Sequence, residues 1–112
     1  VRPYDVVDEL EKQVAAYGGS KYAVAVDSCS NALLLAIRYR FDQGYPRTVN
    51  IPKYTYVGVA QAIINAGGIC EFRDEDWQGC YELEGVKIID SARRFEKGMY
   101  YPDTLFCLSA HW

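Results

Sequence analysis

Short apolar runs alternate with helical periods along this chain, and glycine or proline stands at most of the joins. That order constrains the fold more than any single residue does. Between Asp5 and Tyr17, Val6, Val7, Leu10 and Val14 recur at helical spacings, which predicts a helix ended by Gly18-Gly19. Tyr22-Ala-Val-Ala-Val26 is short and apolar and reads as a buried strand. Asp27 and Ser28 lead into a helix from about Asn31 to Phe41, whose apolar positions include Leu33, Leu34, Ala36 and Ile37, and Gln43-Gly44-Tyr45-Pro46 turns the chain. Thr48-Val-Asn-Ile51 is a second strand closed by Pro52. Thr55 stands where it can cap a third helix to about Asn65, which Gly67-Gly68 stops. Ile69 to Arg73 is a third strand, and Asp74 to Gly85 is acidic and loop-like. Val86-Lys-Ile-Ile-Asp90 is a fourth strand ending on a carboxylate. Arg93 to Pro102 is irregular or a short helix, and Leu105-Phe-Cys-Leu108 is a fifth strand followed by Ser109.

Strands alternating with helices predict an α/β fold, a three-layer domain around a parallel sheet. The 112 residues suffice for one such domain and not for two. A formal net charge of -3 gives no attraction to nucleic acid or to an anionic membrane. No apolar run approaches the ~20 residues that cross a bilayer, and no signal peptide is visible. The chain starts at Val1 rather than Met, as a trimmed protein or a fragment would. Cys29, Cys70, Cys80 and Cys107 form no CxxC pair, and the expectation is reduced thiols in a cytoplasmic protein with no metal site. Cys107 and His111 are four apart, a spacing that suits a helix face, whereas this segment reads as a strand.

A parallel sheet binds ligands at the carboxyl ends of its strands. Ser28 to Asn31, Tyr54 to Tyr56, Asp90 and Ser109 all fall there. Asp27-Ser-Cys-Ser-Asn31 joins a strand to a helix, where unpaired N–H groups, the helix dipole and two hydroxyls suit a phosphate; plain helix capping explains the same residues. Asp90 could hold a protonated ring nitrogen, or cap a helix, or pair with Arg93 or Arg94. An aromatic ring in Tyr54-Thr-Tyr56 could stack on a planar ligand, although ten tyrosines make a structural role common.

Taken in order, these pieces resemble a known family. Gly19-Ser-Lys-Tyr-Ala-Val-Ala-Val-Asp-Ser-Cys-Ser-Asn-Ala-Leu-Leu-Leu-Ala-Ile37 is similar to its first strand and phosphate-binding helix. Val49-Asn-Ile-Pro-Lys-Tyr-Thr-Tyr-Val-Gly-Val-Ala-Gln-Ala-Ile63 is similar to its second strand and helix, and Asn65 to Asp74 to its third strand. Ile88-Ile-Asp-Ser-Ala-Arg93 resembles the strand that ends in a pyridine-binding aspartate, and Phe106-Cys-Leu-Ser-Ala-His111 the strand and serine before the Schiff-base lysine. The family is DegT/DnrJ/EryC1/StrS, pyridoxal-phosphate aminotransferases of fold type I acting mostly on nucleotide-linked keto-sugars.

The resemblance implies pyridoxal 5′-phosphate as cofactor, a nucleotide-sugar and an amino donor as substrates, and a homodimer with shared sites. It implies that Cys29, Ser30 and Ser109 meet the phosphate, that Tyr56 stacks on the ring, that Asp90 binds the pyridine nitrogen and that Arg93 lies near the ring. Three departures accompany it. The family's lysine would fall two residues beyond Trp112, so the chain as given should not complete transamination. Only Glu75 to Gly85 stands where the family has a strand and helix, so the sheet must close the gap or stay incomplete. Cys29 replaces a glycine and Arg93 a glutamine. Two other readings remain: a non-catalytic ligand-binding or assembly descendant, and an unrelated flavodoxin-like or receiver-type domain using Asp27, Asp74 and Asp90.

Overall fold

A computed structural model describes residues 5–109. The segment Ala110 to Trp112, with the His111 weighed above as a partner for Cys107, lies outside the described residues. The elements run α1 (Asp5–Gly18), α2 (Cys29–Asp42), β1 (Thr48–Pro52), α3 (Val57–Asn65), β2 (Ile69–Arg73), β3 (Tyr81–Leu83), β4 (Ile88–Ser91) and β5 (Leu105–Leu108).

Local chemistry sets the helix ends. Ser28 caps α2 in an extended conformation, its Oγ accepting from the Asn31 N–H at 3.2 Å. At the other end Gly44, at φ 93°, lets the Tyr45 N–H reach back to the Arg40 carbonyl at 3.0 Å. The same device closes α3, where Gly67 has φ 88° and the Gly68 N–H donates to the Ile63 carbonyl at 2.9 Å. Thr55 does not cap α3. The N-cap position belongs to Tyr56, which makes no side-chain capping bond.

β1 and β2 pair in parallel, as do β4 and β5, but β3 runs antiparallel to β4. A bridge between Asn50 and Glu84, with N–H···O distances of 3.0 and 2.9 Å, joins β1 to β3. The strands thus form a two-stranded sheet, β1-β2, and a three-stranded sheet, β3-β4-β5, linked by that single bridge just after β3, with β3 the one reversed member. The expected parallel sheet is thus a mixed one. A short return strand, β3, lies where the resemblance led to the expectation of a gap. Tyr81 and Leu83 are buried and Glu82 is exposed, so three residues suffice to show a half-buried strand's alternation. The acidic stretch before them hid this in the sequence.

The expected first strand is the second correction. Tyr22–Val26 forms no strand and joins no ladder among the described residues, and Tyr22 and Val24 are 78% and 80% exposed. Its recorded polar ties are local or to α1: Ser20 Oγ donates to the Tyr22 carbonyl, and the Ala25 N–H donates to Glu11.

α2 and α3 pack against each other and cover one face of the sheet. Leu33, Ile37, Phe41, Val59 and Ile63 from the helices meet Val49, Ile51, Leu83 and Ile88 from the strands in one buried cluster. On the other face Phe106 meets Tyr100 and Tyr101, which lie in a loop. The expected third layer is therefore represented there by loop aromatics. α1 is tied to the same loop through the Tyr17–Phe95 ring contact and through bonds from the Gly98 and Tyr100 amides.

Candidate functional site

Pairing register builds the site. Tyr81 stands opposite Asp90, and Asp90 opposite Cys107, so one row crosses β3, β4 and β5. Leu83 and Ile88, two residues away in the same alternation, lie in the core beneath the helices, so this row faces the helices too. Cys29, the first residue of α2, comes down beside it. Its thiol is pushed up to about 11, by burial first and then by the negative charge of Asp90. Burial, then Cys29 and Asp90, also raise the Cys107 thiol. Both sulfurs are held protonated at neutral pH, so neither is an activated nucleophile.

Asp90 is buried, 8% exposed. Its Oδ2 accepts from the Tyr81 hydroxyl at 2.5 Å and its Oδ1 from the Ala92 N–H at 3.2 Å. No lysine or arginine among the described residues pairs with it; the ion pairs are Arg73 with Glu75 and Glu84, and Arg94 with Glu96. Tyr81 is itself raised, by burial and then by its bond to Asp90 and that group's charge, while the Thr55 side chain acts on it in the opposite sense. It therefore stays a hydrogen-bond donor. The Trp77 ring packs on Tyr81 at 4.6 Å, and Trp77 Nε1 donates to the Tyr54 carbonyl at 2.9 Å. The hairpin arm is thus fastened to the loop that leads into α3.

The N-termini of α2 and α3 converge beside this row. A side-chain carbon on Gly58 would stand 2.7 Å from the Tyr56 ring and 3.4 Å from Ser30 Oγ. The glycine lets the Tyr56 ring fold back against α3 near Ser30, with the ring largely in solvent. Ser28 oxygens take the Asn31 and Ala32 amides, which leaves the Cys29 and Ser30 N–H groups at the helix's positive end. Ser109 follows β5 at the carboxyl end of the sheet, one residue past the Ser91–Leu108 pair. Arg93 is exposed and makes no ion pair among the described residues, so the pairing of Asp90 with Arg93 or Arg94 does not form.

The structure thus brings Cys29 to Asp90 and Ser30 to Tyr56, and it leaves Arg93 in solvent. Sequence reasoning missed Tyr81, Trp77 and Gly58. The Tyr-Glu-Leu alternation at 81–83 was the available signal for the first. A depression of about 380 Å³ beside α2 is lined by Val26, Asp27, Asn31, Leu34 and Leu35 and does not include Asp90. Among the described residues no group of three or more His, Cys, Asp or Glu could hold a metal ion. No helix there is long and apolar enough to cross a membrane.

Residues 1–88 match the DegT/DnrJ/EryC1/StrS aminotransferase family. The chain belongs to that family. Cys29, Ser30 and Tyr56 lie inside the matched span, and Asp90, Arg93 and Ser109 follow it. The chain is 34% identical over 82 residues to the spore coat polysaccharide biosynthesis protein SpsC of Bacillus subtilis, covering 73% of this chain and 21% of that one. It is likewise 34% identical over 82 residues to a dTDP-3-amino-3,6-dideoxy-alpha-D-galactopyranose transaminase of Aneurinibacillus thermoaerophilus, covering 73% and 22%. The aligned region is thus about a fifth of the length of these relatives. No solved structure matches.

Proposed function

We propose that residues 1–112 form part of the pyridoxal 5′-phosphate-binding domain of an aminotransferase that acts on nucleotide-linked keto-sugars. One observation carries this reading: Asp90 is a buried carboxylate near the end of β4, with no cationic partner among the described residues. Burying a carboxylate without an opposite charge is costly even when it is hydrogen-bonded, and a cation arriving from a ligand would offset that cost. The donor set fits the cofactor. Asp90 would face its pyridine nitrogen, and the Cys29 and Ser30 amides with the Ser109 hydroxyl would face its phosphate. Tyr56 would lie against the ring, and Arg93 is the nearest arginine in sequence.

When bound, the cofactor supplies an electron sink for moving an amino group between donor and sugar. This chain's own residues bind and orient it. The α2 N-terminus contributes positive potential without a side-chain cation, and the Cys29 and Cys107 thiols remain neutral beside the carboxylate. The sugar substrate, the amino donor, a cytoplasmic location and a homodimer with shared sites belong to the same proposal, supported by the family and by the relatives' names.

The test is a calorimetric titration with pyridoxine 5′-phosphate, whose alcohol cannot condense with surface lysines. Specific binding should be displaced weakly by inorganic phosphate and should fall at least about tenfold in Asp90→Asn, the scale of a lost charge-assisted hydrogen bond. Equal affinity in the variant would remove Asp90 from the site.

A further inference from the structure

Tyr81 faces Asp90 from a hairpin that stands where a longer crossover was expected, and nothing in the family match assigns it a role; the matched span ends before Asp90. We infer that Tyr81 is the positioning residue of this site: its hydroxyl, packed beneath Trp77 on β3, fixes the Asp90 carboxylate in the orientation that meets a ligand's ring nitrogen. The inference rests on the reading of Asp90 as the ring-nitrogen partner.

An aspartate's terminal torsion is broad and roughly two-fold, so an unrestrained carboxylate swivels. Here each oxygen takes one fixed donor, Tyr81 Oη on Oδ2 and the Ala92 N–H on Oδ1. Two donors on two oxygens define the carboxylate plane. Each oxygen can accept more than one hydrogen bond, so acceptor capacity remains for a ligand.

The donor is held as firmly as the acceptor. Tyr81 is 6% exposed, and its antiparallel register places it directly across from Asp90. Trp77 covers the Tyr81 ring at 4.6 Å and is anchored to the Tyr54 carbonyl, two residues before Tyr56. Thr55, between them in sequence, acts on the Tyr81 hydroxyl through its side chain. One hairpin thereby ties the carboxylate to the loop that carries the Tyr56 ring. The burial that raises Tyr81 keeps its proton on the hydroxyl, which a donor requires.

Two ligands separate positioning from general support: pyridoxine 5′-phosphate and its 1-deaza analogue, in which a C–H replaces the ring nitrogen. Both are titrated against the wild-type chain, Tyr81→Phe and Thr55→Val. The phenylalanine keeps the ring on Trp77, and the valine keeps the threonine's shape. The wild-type chain should prefer the pyridine ligand by about tenfold or more, and Tyr81→Phe should narrow that preference about fivefold while the analogue's affinity holds. Thr55→Val should narrow it about twofold, as a contact once removed. A Tyr81→Phe chain that keeps the full preference, or that weakens both ligands equally, overturns the positioning role alone. A wild-type chain that shows no preference overturns the Asp90 reading, and this inference with it.

Discussion

Tyr22–Val26 and Tyr81–Leu83 are both short runs rich in apolar residues, yet the first is exposed and unpaired in any ladder and the second is a strand with two buried residues. By strand propensity the first is the better candidate, with two valines and a tyrosine in five residues. What separates them is a ladder partner. β3 pairs with β4 on one side and touches β1 through the Asn50–Glu84 bridge on the other. Among the described residues Tyr22–Val26 pairs with nothing. Pairing alone does not bury a strand, since β2 pairs with β1 along its length and stays largely exposed, but β3 is flanked on both sides, and Tyr81 as cross-strand neighbour helps enclose Asp90.

That contrast predicts a graded set of substitutions. The largest effect belongs to Leu83, fully buried in β3: Leu83→Ala should cost about 3 kcal/mol in urea unfolding, as large-to-small core changes do. Val24→Ala in the exposed run should shift stability by no more than about 0.5 kcal/mol. Comparable losses at the two positions would break the contrast. Tyr81→Phe comes next, removing the hydroxyl while keeping the ring, at about 1–2 kcal/mol with Asp90 left one donor short. Ser28→Ala should cost about 1 kcal/mol through the lost α2 cap. Full stability in that variant would show that the α2 N-terminus is held by packing alone.

A last effect, confined to alkaline solution, is a pH dependence. Burial raises Cys29 from the usual 9.0 to about 11. A thiol whose folded value lies above its unfolded one contributes stability below the unfolded value and loses it as pH rises toward the folded value. Unfolding free energy should therefore decline from near pH 9.0 toward about 11, and Cys29→Ser should flatten part of that decline. Alkylation of Cys29 in the folded chain should keep accelerating until pH nears about 11; a plateau near the ordinary thiol value would show that the site is open.

Much of this was legible in the sequence because it is local chemistry. The glycines after α2 and α3 marked their ends, and Ser28 and Asn31 marked the α2 start to within two residues. β1, β2 and β5 fell where apolar runs predicted them, and β4 shifted to start at Ile88. The errors are non-local. The apolar character of Tyr22–Val26 carries no information about whether a neighbouring strand exists, and three residues of β3 are too few to outweigh an acidic surround. The site divides the same way. Placing Tyr56 and Asp90 near strand ends needed only the βα order, the strand expected before Ser30 does not form, and finding Tyr81 needed the antiparallel register that brings it opposite Asp90.

The central claim is that the Tyr81–Asp90 pair forms one wall of a cofactor site. A crystal structure of the chain grown with pyridoxine 5′-phosphate tests it most directly. The account predicts the ring nitrogen within hydrogen-bond distance of Asp90, the phosphate at the Cys29 and Ser30 amides, and Tyr81 still bonded to Oδ2. A ligand seated elsewhere, or one that reaches Asp90 only after Tyr81 has swung away, would contradict it.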